Sequence, residues 1–97
     1  GEKDSKGFLY ELESKIAQRI DDQVEDSYTY SLFQRGINKV AQKVGEEAVE
    51  LVIEAKDDNE DLFKNEAADL LYHFLILLKA KNFSLNEIEK ILLNRNQ

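Results

Sequence analysis

The chain has 97 residues, enough for one domain with a small core. It has no cysteine, which excludes disulfides and thiolate metal sites. A formal net charge of −7 argues against nucleic-acid binding, because that depends on Lys and Arg neutralising phosphates. No apolar run approaches the roughly 20 residues that span a bilayer and no leader-like segment opens the chain, so we expect a cytoplasmic protein without a membrane partner.

The sequence predicts an all-α fold, because it contains no proline and only four glycines. Residues 1–7 have the composition of a flexible lead-in or linker, and residues 8–97 are expected to form one helical domain. The chain also contains no Met, which fits either processing at its start or excision from a longer protein, and we favour the second. The first predicted helix begins at Phe8 and carries an apolar stripe to Ile20, after which the polar stretch 21–27 ends it.

A short segment and a long helix are predicted next. Residues 28–33 are expected to form a short helix or turn that leads to Gly36. Apolar residues then recur with helical spacing from about residue 37 to residue 55. Gly45 lies in the middle of this long helix, where glycine costs about 1 kcal/mol relative to alanine. It indicates close approach of another backbone or of a ligand, or else a tolerated irregularity.

Local signals fix the second half of the chain. The polar stretch 56–59 is a solvated turn that begins a helix running to about residue 81. Asn82 is expected in the left-handed conformation that ends helices. Ser84 then begins the last helix, and Glu87, three residues on, completes a capping box.

The helix that ends near residue 81 is apolar in almost every direction between residues 67 and 78. Such a helix should be surrounded by protein, and a few short helices cannot easily cover it. Val49 and Ile53 lie on the flank of the preceding helix, away from its main apolar stripe. We therefore expect a homodimer, with Leu75 in the interface.

Two acidic groups carry the chemistry. Glu47 and Glu50 share one face of the long helix, and Glu46 lies at the edge of that face. Glu66 and Asp69 are three residues apart on the next helix, immediately before its apolar segment. Because a short turn joins the two helices, they should pack side by side with the acidic groups facing each other. Four converging carboxylates suit Mg²⁺ or Mn²⁺.

Each assignment has a simpler alternative. A Glu-rich helix face is usually only solvated, so a non-catalytic helical dimerisation module is one competing interpretation. Lys39 and Lys43 either hold phosphates or pair with neighbouring Glu side chains. His73 is better explained as a packed or hydrogen-bonding residue than as a ligand, because Leu70 stands where a Glu-x-x-His motif needs Glu.

The acidic spacing resembles that of the all-α nucleoside triphosphate pyrophosphohydrolases, the MazG-like superfamily. Within it, residues 8–95 are similar to the phosphoribosyl-ATP pyrophosphatases of histidine biosynthesis. The matching stretches are Ser27-Tyr28-Thr29, Leu32-Phe33, Gly36, the run from Ala41 to Glu50 and the run from Glu66 to His73. Lys39 stands where this family often has Arg, which keeps the charge but loses the bidentate fork.

This resemblance implies a four-to-five-helix MazG-like bundle completed by homodimerisation. It also implies Mg²⁺-dependent hydrolysis of phosphoribosyl-ATP to phosphoribosyl-AMP and pyrophosphate, with Mn²⁺ as a substitute metal. The expected metal ligands are Glu47, Glu50, Glu66 and Asp69. Glu46, or whichever carboxylate stays uncoordinated, would orient or deprotonate the attacking water. The expected substrate-binding residues are Lys39, Lys43, Arg35, Ser27 and Thr29.

Two questions stay open within this resemblance. A house-cleaning pyrophosphatase for non-standard deoxynucleotides would share the same metal site and differ only in the pockets for base and ribose. In many bacteria the domain is the C-terminal half of a fusion with phosphoribosyl-AMP cyclohydrolase. The missing Met and the linker-like residues 1–7 fit such an excised half.

Overall fold

The computed structural model describes residues 7–96, and these residues form five α-helices without a β-strand. The helices are α1 (Phe8–Asp21), α2 (Tyr28–Gln34), α3 (Ile37–Ala55), α4 (Glu60–Ala80) and α5 (Leu85–Arg95). The prediction of an all-α fold is therefore confirmed, including the short helix before Gly36. Residues 1–6 of the predicted lead-in and the last residue of the predicted domain lie outside the described residues. Between residues 7 and 96, no helix combines the length and hydropathy that a bilayer crossing requires.

The helix ends follow the predicted local signals. The Asn59 side chain accepts a hydrogen bond from the Leu62 backbone N–H at 3.1 Å, which caps the start of α4. Asn82 adopts a φ of 64° directly after that helix. The Ser84 backbone N–H donates to Glu87 Oε2 at 2.7 Å as part of a capping box at the start of α5. The boundaries of α4 and α5 are thus set by short-range hydrogen bonds.

Glycine matters most at the junction of α2 and α3. Gly36 has a φ of 97°, in the left-handed region that side chains with a Cβ rarely adopt. This conformation lets α3 begin after only two intervening residues, Arg35 and Gly36, so the two helices stay close together. Gly45 is different, because no other part of the described chain lies within 4 Å of a Cβ placed there. Residues 7–96 therefore make no close approach to Gly45, and an approach by a ligand stays a prediction.

The core lies between α1, α2 and the hairpin that α3 and α4 form. The contact between α3 and α4 is the most extensive one between helices. The buried aliphatic residues come from α1 to α4 and are Ile16, Ile20, Leu32, Val40, Leu75, Ile76 and Leu78. Helix α5 adds only partly buried side chains to this core. Its start is fixed by Glu13 of α1, whose Oε2 accepts from the Leu85 N–H at 2.6 Å.

The apolar surface of α4 is divided between core and solvent. Leu75 is 2% exposed and belongs to the core of the single chain, so its predicted place in a subunit interface is wrong. Leu71, one turn earlier, is 47% exposed. Val49 and Ile53 of α3 also lie largely outside the core, as predicted. Homodimerisation itself stays a prediction.

Candidate active site

Carboxylates from the two arms of the α3–α4 hairpin come together. Glu47 of α3 and Glu66 and Asp69 of α4 each place a carboxylate oxygen within 4.8 Å of the others. Glu50, one turn after Glu47, lies close enough to Glu66 for the two to share a hydrogen bond when one carboxyl group is protonated. We call these four residues the carboxylate cluster. The two predicted acidic pairs thus face each other, and their role as metal ligands stays a prediction.

The cluster is electrostatically strained at Glu66. Hydrogen bonding to Glu50, burial and the nearby charge of Glu47 together raise the pKa of Glu66 from 4.5 to about 7. Glu66 Oε2 is buried and has no hydrogen-bond partner among the described residues. A buried polar atom without a partner is unfavourable and calls for an explanation. Because every donor in the cluster is a carboxylate oxygen, the site fits a hard divalent cation such as Mg²⁺ or Mn²⁺.

One lysine lies beside the cluster. Lys43 Nζ is 3.7 Å from Glu47 Oε1 and 3.6 Å from Glu46 Oε1. Burial acts to lower the pKa of Lys43, but Tyr28, Glu47 and Glu46 act in the other direction and raise it overall. The ammonium group is therefore a permanent positive charge between the cluster and its surroundings. It offsets only part of the negative charge of the cluster.

A cavity of about 210 Å³ lies between α2 and α3, next to the cluster. Its lining residues are Tyr28, Ser31, Leu32, Arg35, Lys39, Lys43 and Glu46. We call it the basic cavity, because it brings together three cationic side chains in a chain whose net charge is −7. These three are the Lys and Arg residues that the sequence predicts for phosphate binding. The arrangement can hold an anion next to the carboxylate cluster.

Glu46 lines the basic cavity and lies outside the three-residue group of close carboxylate oxygens. Its side chain is 47% exposed and accepts a hydrogen bond from Gln42 Nε2 at 2.9 Å. That hydrogen bond, together with Lys43 and Lys39, lowers the pKa of Glu46. A lowered pKa makes a carboxylate a weaker base at neutral pH. The position therefore suits orienting a water better than removing its proton.

Ser27 and Thr29 have local roles in the structure. The Ser27 side chain accepts from the Tyr30 N–H at 3.2 Å and caps α2. Thr29 is 1% exposed, and its hydroxyl hydrogen-bonds to the Tyr72 hydroxyl. Neither residue lines the basic cavity. The prediction that they bind substrate therefore gains no support from their positions.

A tyrosine–histidine contact is the feature that the sequence did not reveal. His73 is 6% exposed, with Nδ1 2.8 Å from the Asp69 backbone oxygen and Nε2 2.7 Å from the Tyr28 hydroxyl. The hydrogen-bonding role predicted for His73 agrees with this geometry. The sequence predicts no such contact for Tyr28, because a tyrosine at the start of a short polar segment gives no periodic signal.

A carboxylate cluster on the α3–α4 hairpin adjoins a cavity with three cationic side chains. This arrangement agrees with the expected class, the all-α nucleoside triphosphate pyrophosphohydrolases. The family described as phosphoribosyl-ATP pyrophosphohydrolase matches residues 9–96 of the chain. The chain belongs to this family.

Named relatives agree with the family match. The phosphoribosyl-ATP pyrophosphatase of Clostridium acetobutylicum is 45% identical over 94 residues, which cover 97% of this chain and 86% of the relative. The phosphoribosyl-ATP pyrophosphatase of Pyrobaculum arsenaticum is 45% identical over 89 residues, which cover 92% of this chain and 95% of the relative. The histidine biosynthesis bifunctional protein HisIE of Bacillus subtilis is 43% identical over 93 residues, 96% of this chain but only 44% of that protein. The chain thus spans less than half the length of this bifunctional relative.

Proposed function

We propose that this chain hydrolyses phosphoribosyl-ATP to phosphoribosyl-AMP and pyrophosphate, the second step of histidine biosynthesis. The family match and the names of the relatives support this substrate. The structural observation that carries the proposal is the convergence of Glu47, Glu66 and Asp69 next to the basic cavity. An acidic chain that binds a polyphosphate needs positive charge between itself and its substrate. This site offers cationic side chains and, beside them, carboxylates that would bind a metal cation.

Glu47, Glu50, Glu66 and Asp69 would hold one or more Mg²⁺ ions. The buried, unpartnered Oε2 of Glu66 and the all-carboxylate donor set support this assignment. When bound, the metal would neutralise phosphate charge and lower the pKa of a coordinated water. Mn²⁺ also suits these ligands.

The basic cavity would bind phosphate oxygens of the substrate. Arg35 can make bidentate contacts, whereas Lys39 and Lys43 act as point charges. The products are a monophosphate and pyrophosphate, so the bond that breaks joins the α- and β-phosphates. One water is consumed, and its oxygen forms the new bond to phosphorus while its proton passes to a carboxylate or to solvent. Glu46, at the border between cavity and cluster, would orient this water.

Pyrophosphate release from phosphoribosyl-ATP in the presence of Mg²⁺ tests the proposal directly. We expect Glu50→Gln and Asp69→Asn to abolish turnover while the helical circular dichroism signal stays unchanged. Glu60→Gln is the matched control, because it makes the same change on α4 outside the cluster. Wild-type rates in both cluster variants at saturating Mg²⁺ would refute the metal assignment.

Deoxynucleoside triphosphates are assayed side by side with phosphoribosyl-ATP. Faster turnover of the deoxynucleotides would favour the house-cleaning activity.

We also propose that two copies of the chain associate. Val49 and Ile53 of α3 and Leu71 of α4 are apolar and exposed in the single chain. Such residues on neighbouring helices would be covered by a second copy. Sedimentation velocity at micromolar concentration measures the mass, and a monomer mass would overturn this part of the proposal.

The bifunctional relatives support a parent protein that also carries a cyclohydrolase domain.

A further inference from the structure

Two neighbouring residues of α2 hydrogen-bond to two neighbouring residues of α4. The Tyr28 hydroxyl lies 2.7 Å from His73 Nε2, and the Thr29 hydroxyl contacts the Tyr72 hydroxyl. The rings of Tyr28 and His73 meet edge to face, with centroids 5.7 Å apart. The bonded residues are more than 40 positions apart in sequence. They hold the start of α2 against the middle of α4.

The hydrogen-bond partners fix the direction of the contact. The Asp69 backbone oxygen can only accept, so the proton of a neutral His73 ring lies on Nδ1, 2.8 Å away. Nε2 is then an acceptor, and the Tyr28 hydroxyl donates to it. Burial raises the pKa of Tyr28, although Lys43 acts in the opposite direction, so the hydroxyl keeps its proton. Its remaining lone pairs are free to accept hydrogen bonds.

This contact lies between the two halves of the candidate active site. Tyr28 is 53% exposed and lines the basic cavity. On the other side, His73 Nδ1 lies 3.8 Å from Glu47 Oε1, and the His73 ring is bonded to the backbone of Asp69. Helix α2 carries Arg35 at its C-terminal end, and α4 carries Glu66 and Asp69. A small shift of α2 would therefore change the distance between cavity and cluster.

We propose that Tyr28 and His73 are positioning residues. They hold the basic cavity at a fixed distance from the carboxylate cluster, so that one phosphate chain contacts both. The inference rests on the proposed function for the identity of the substrate. Its physical reason is that substrate groups must be held within a fraction of an ångström for efficient reaction. The hydrogen bond between the pair supplies that constraint, and the His73 ring also contacts the cluster itself, at 3.8 Å from Glu47 Oε1.

Four variants isolate this hydrogen bond. Tyr28→Phe removes only the donor. His73→Asn keeps an amide near the position of Nδ1 but no acceptor within reach of Tyr28, whereas His73→Gln places an acceptor near the position of Nε2. Tyr30→Phe is the matched control, because Tyr30 lies on the same helix and its hydroxyl makes no hydrogen bond to residues 7–96. The double variant Tyr28→Phe/His73→Asn completes a mutant cycle.

The readouts are kcat/KM for phosphoribosyl-ATP, the Mg²⁺ concentration for half-maximal rate, and calorimetric affinity for inorganic pyrophosphate with Mg²⁺. We expect Tyr28→Phe and His73→Asn each to lower kcat/KM about three- to tenfold, mainly through KM, the loss typical of one hydrogen bond. Pyrophosphate affinity should fall by the same factor, and the Mg²⁺ requirement should not change. The double variant should match either single variant, and His73→Gln should recover most of the loss. A purely structural role would lower the Tm and leave these constants unchanged.

Equal kcat/KM and equal pyrophosphate affinity in Tyr28→Phe and Tyr30→Phe would overturn the inference. Additive losses in the double variant would overturn it too. Because His73 is the only histidine, its ¹⁵N spectrum is unambiguous, and a proton on Nε2 rather than on Nδ1 would refute the geometry. If the wild type does not hydrolyse phosphoribosyl-ATP, the proposed function fails. Pyrophosphate affinity and the ¹⁵N spectrum then decide the positioning role alone, and no measurable pyrophosphate binding by the wild type would refute it.

Discussion

Leucines one turn apart on α4 separate the stability of the single chain from that of an assembly. Leu75 is 2% exposed and packs in the core, whereas Leu71 is 47% exposed. We expect Leu75→Ala to destabilise the chain strongly and Leu71→Ala to act weakly within one chain. The chemical change is the same, so the difference in the free energy of unfolding reports on burial alone.

The magnitudes follow from the two exposures. Truncating a fully buried leucine costs about 2–5 kcal/mol, and a domain of this size loses about 4–8 °C of Tm per kcal/mol. Leu75→Ala should therefore lower the Tm by about 8–40 °C. Leu71 is only about half-buried, so the corresponding loss is roughly 1 kcal/mol, or about 4–8 °C. If a second copy covers Leu71, its loss becomes larger and depends on protein concentration.

Thermal unfolding followed by circular dichroism at two protein concentrations, tenfold or more apart, measures both effects. The Leu75→Ala deficit should persist at both concentrations. If Leu75→Ala and Leu71→Ala lower the Tm equally, and by the same amount at both concentrations, the division of α4 into a buried and an exposed side is refuted. A Leu75→Ala deficit of only a few degrees would refute the placement of Leu75 in the core.

Two further predictions concern the site and its helix. In EDTA, a raised pKa at Glu66 means that the fold loses stability as pH rises from 4.5 to about 7. Glu66→Gln should therefore have a higher Tm than the wild type at pH 8 without metal and nearly the same Tm at pH 4, and Mg²⁺ should no longer stabilise it. An unchanged Tm at pH 8 would contradict the raised pKa of Glu66. Gly45→Ala should add about 1 kcal/mol of stability, because the added methyl meets no atom of residues 7–96 and alanine favours the helix. A Gly45→Ala variant with a raised Tm but no turnover would reveal a ligand or second chain close to that position.

The sequence was most informative where the interaction is local or periodic. Glu47 and Glu66 could be placed opposite each other because helical spacing and a short connecting turn determine which faces meet. Asn82 and the Ser84 capping box are readable for the same reason, since their partners lie within a few residues. Glu46 is one residue from Glu47, and the 100° turn between them directs it to the basic cavity rather than into the cluster.

Other features depend on how distant helices cross. Thr29 stands in a polar segment and is predicted to bind substrate, but the packing of α2 turns it inward to Tyr72. Tyr28 and His73 are 45 residues apart, and only the packing of α2 across α4 brings them together. The sequence cannot place Leu75 correctly, because a helix that is apolar in almost every direction gives no periodic signal for which side faces the core.

The carboxylate cluster lies entirely on the two arms of one hairpin, within residues 47–69. Without a cation, mutual repulsion among these side chains favours separation of α3 from α4, and a bound divalent ion would reverse the sign of that force. Transient local opening of the hairpin would then be suppressed by metal, and amide hydrogen exchange in α3 and α4 would slow selectively. Helix α5, which has no fully buried residue, would keep exchanging at its own rate. The element that would perform the chemistry would then also be the one whose rigidity the cation sets.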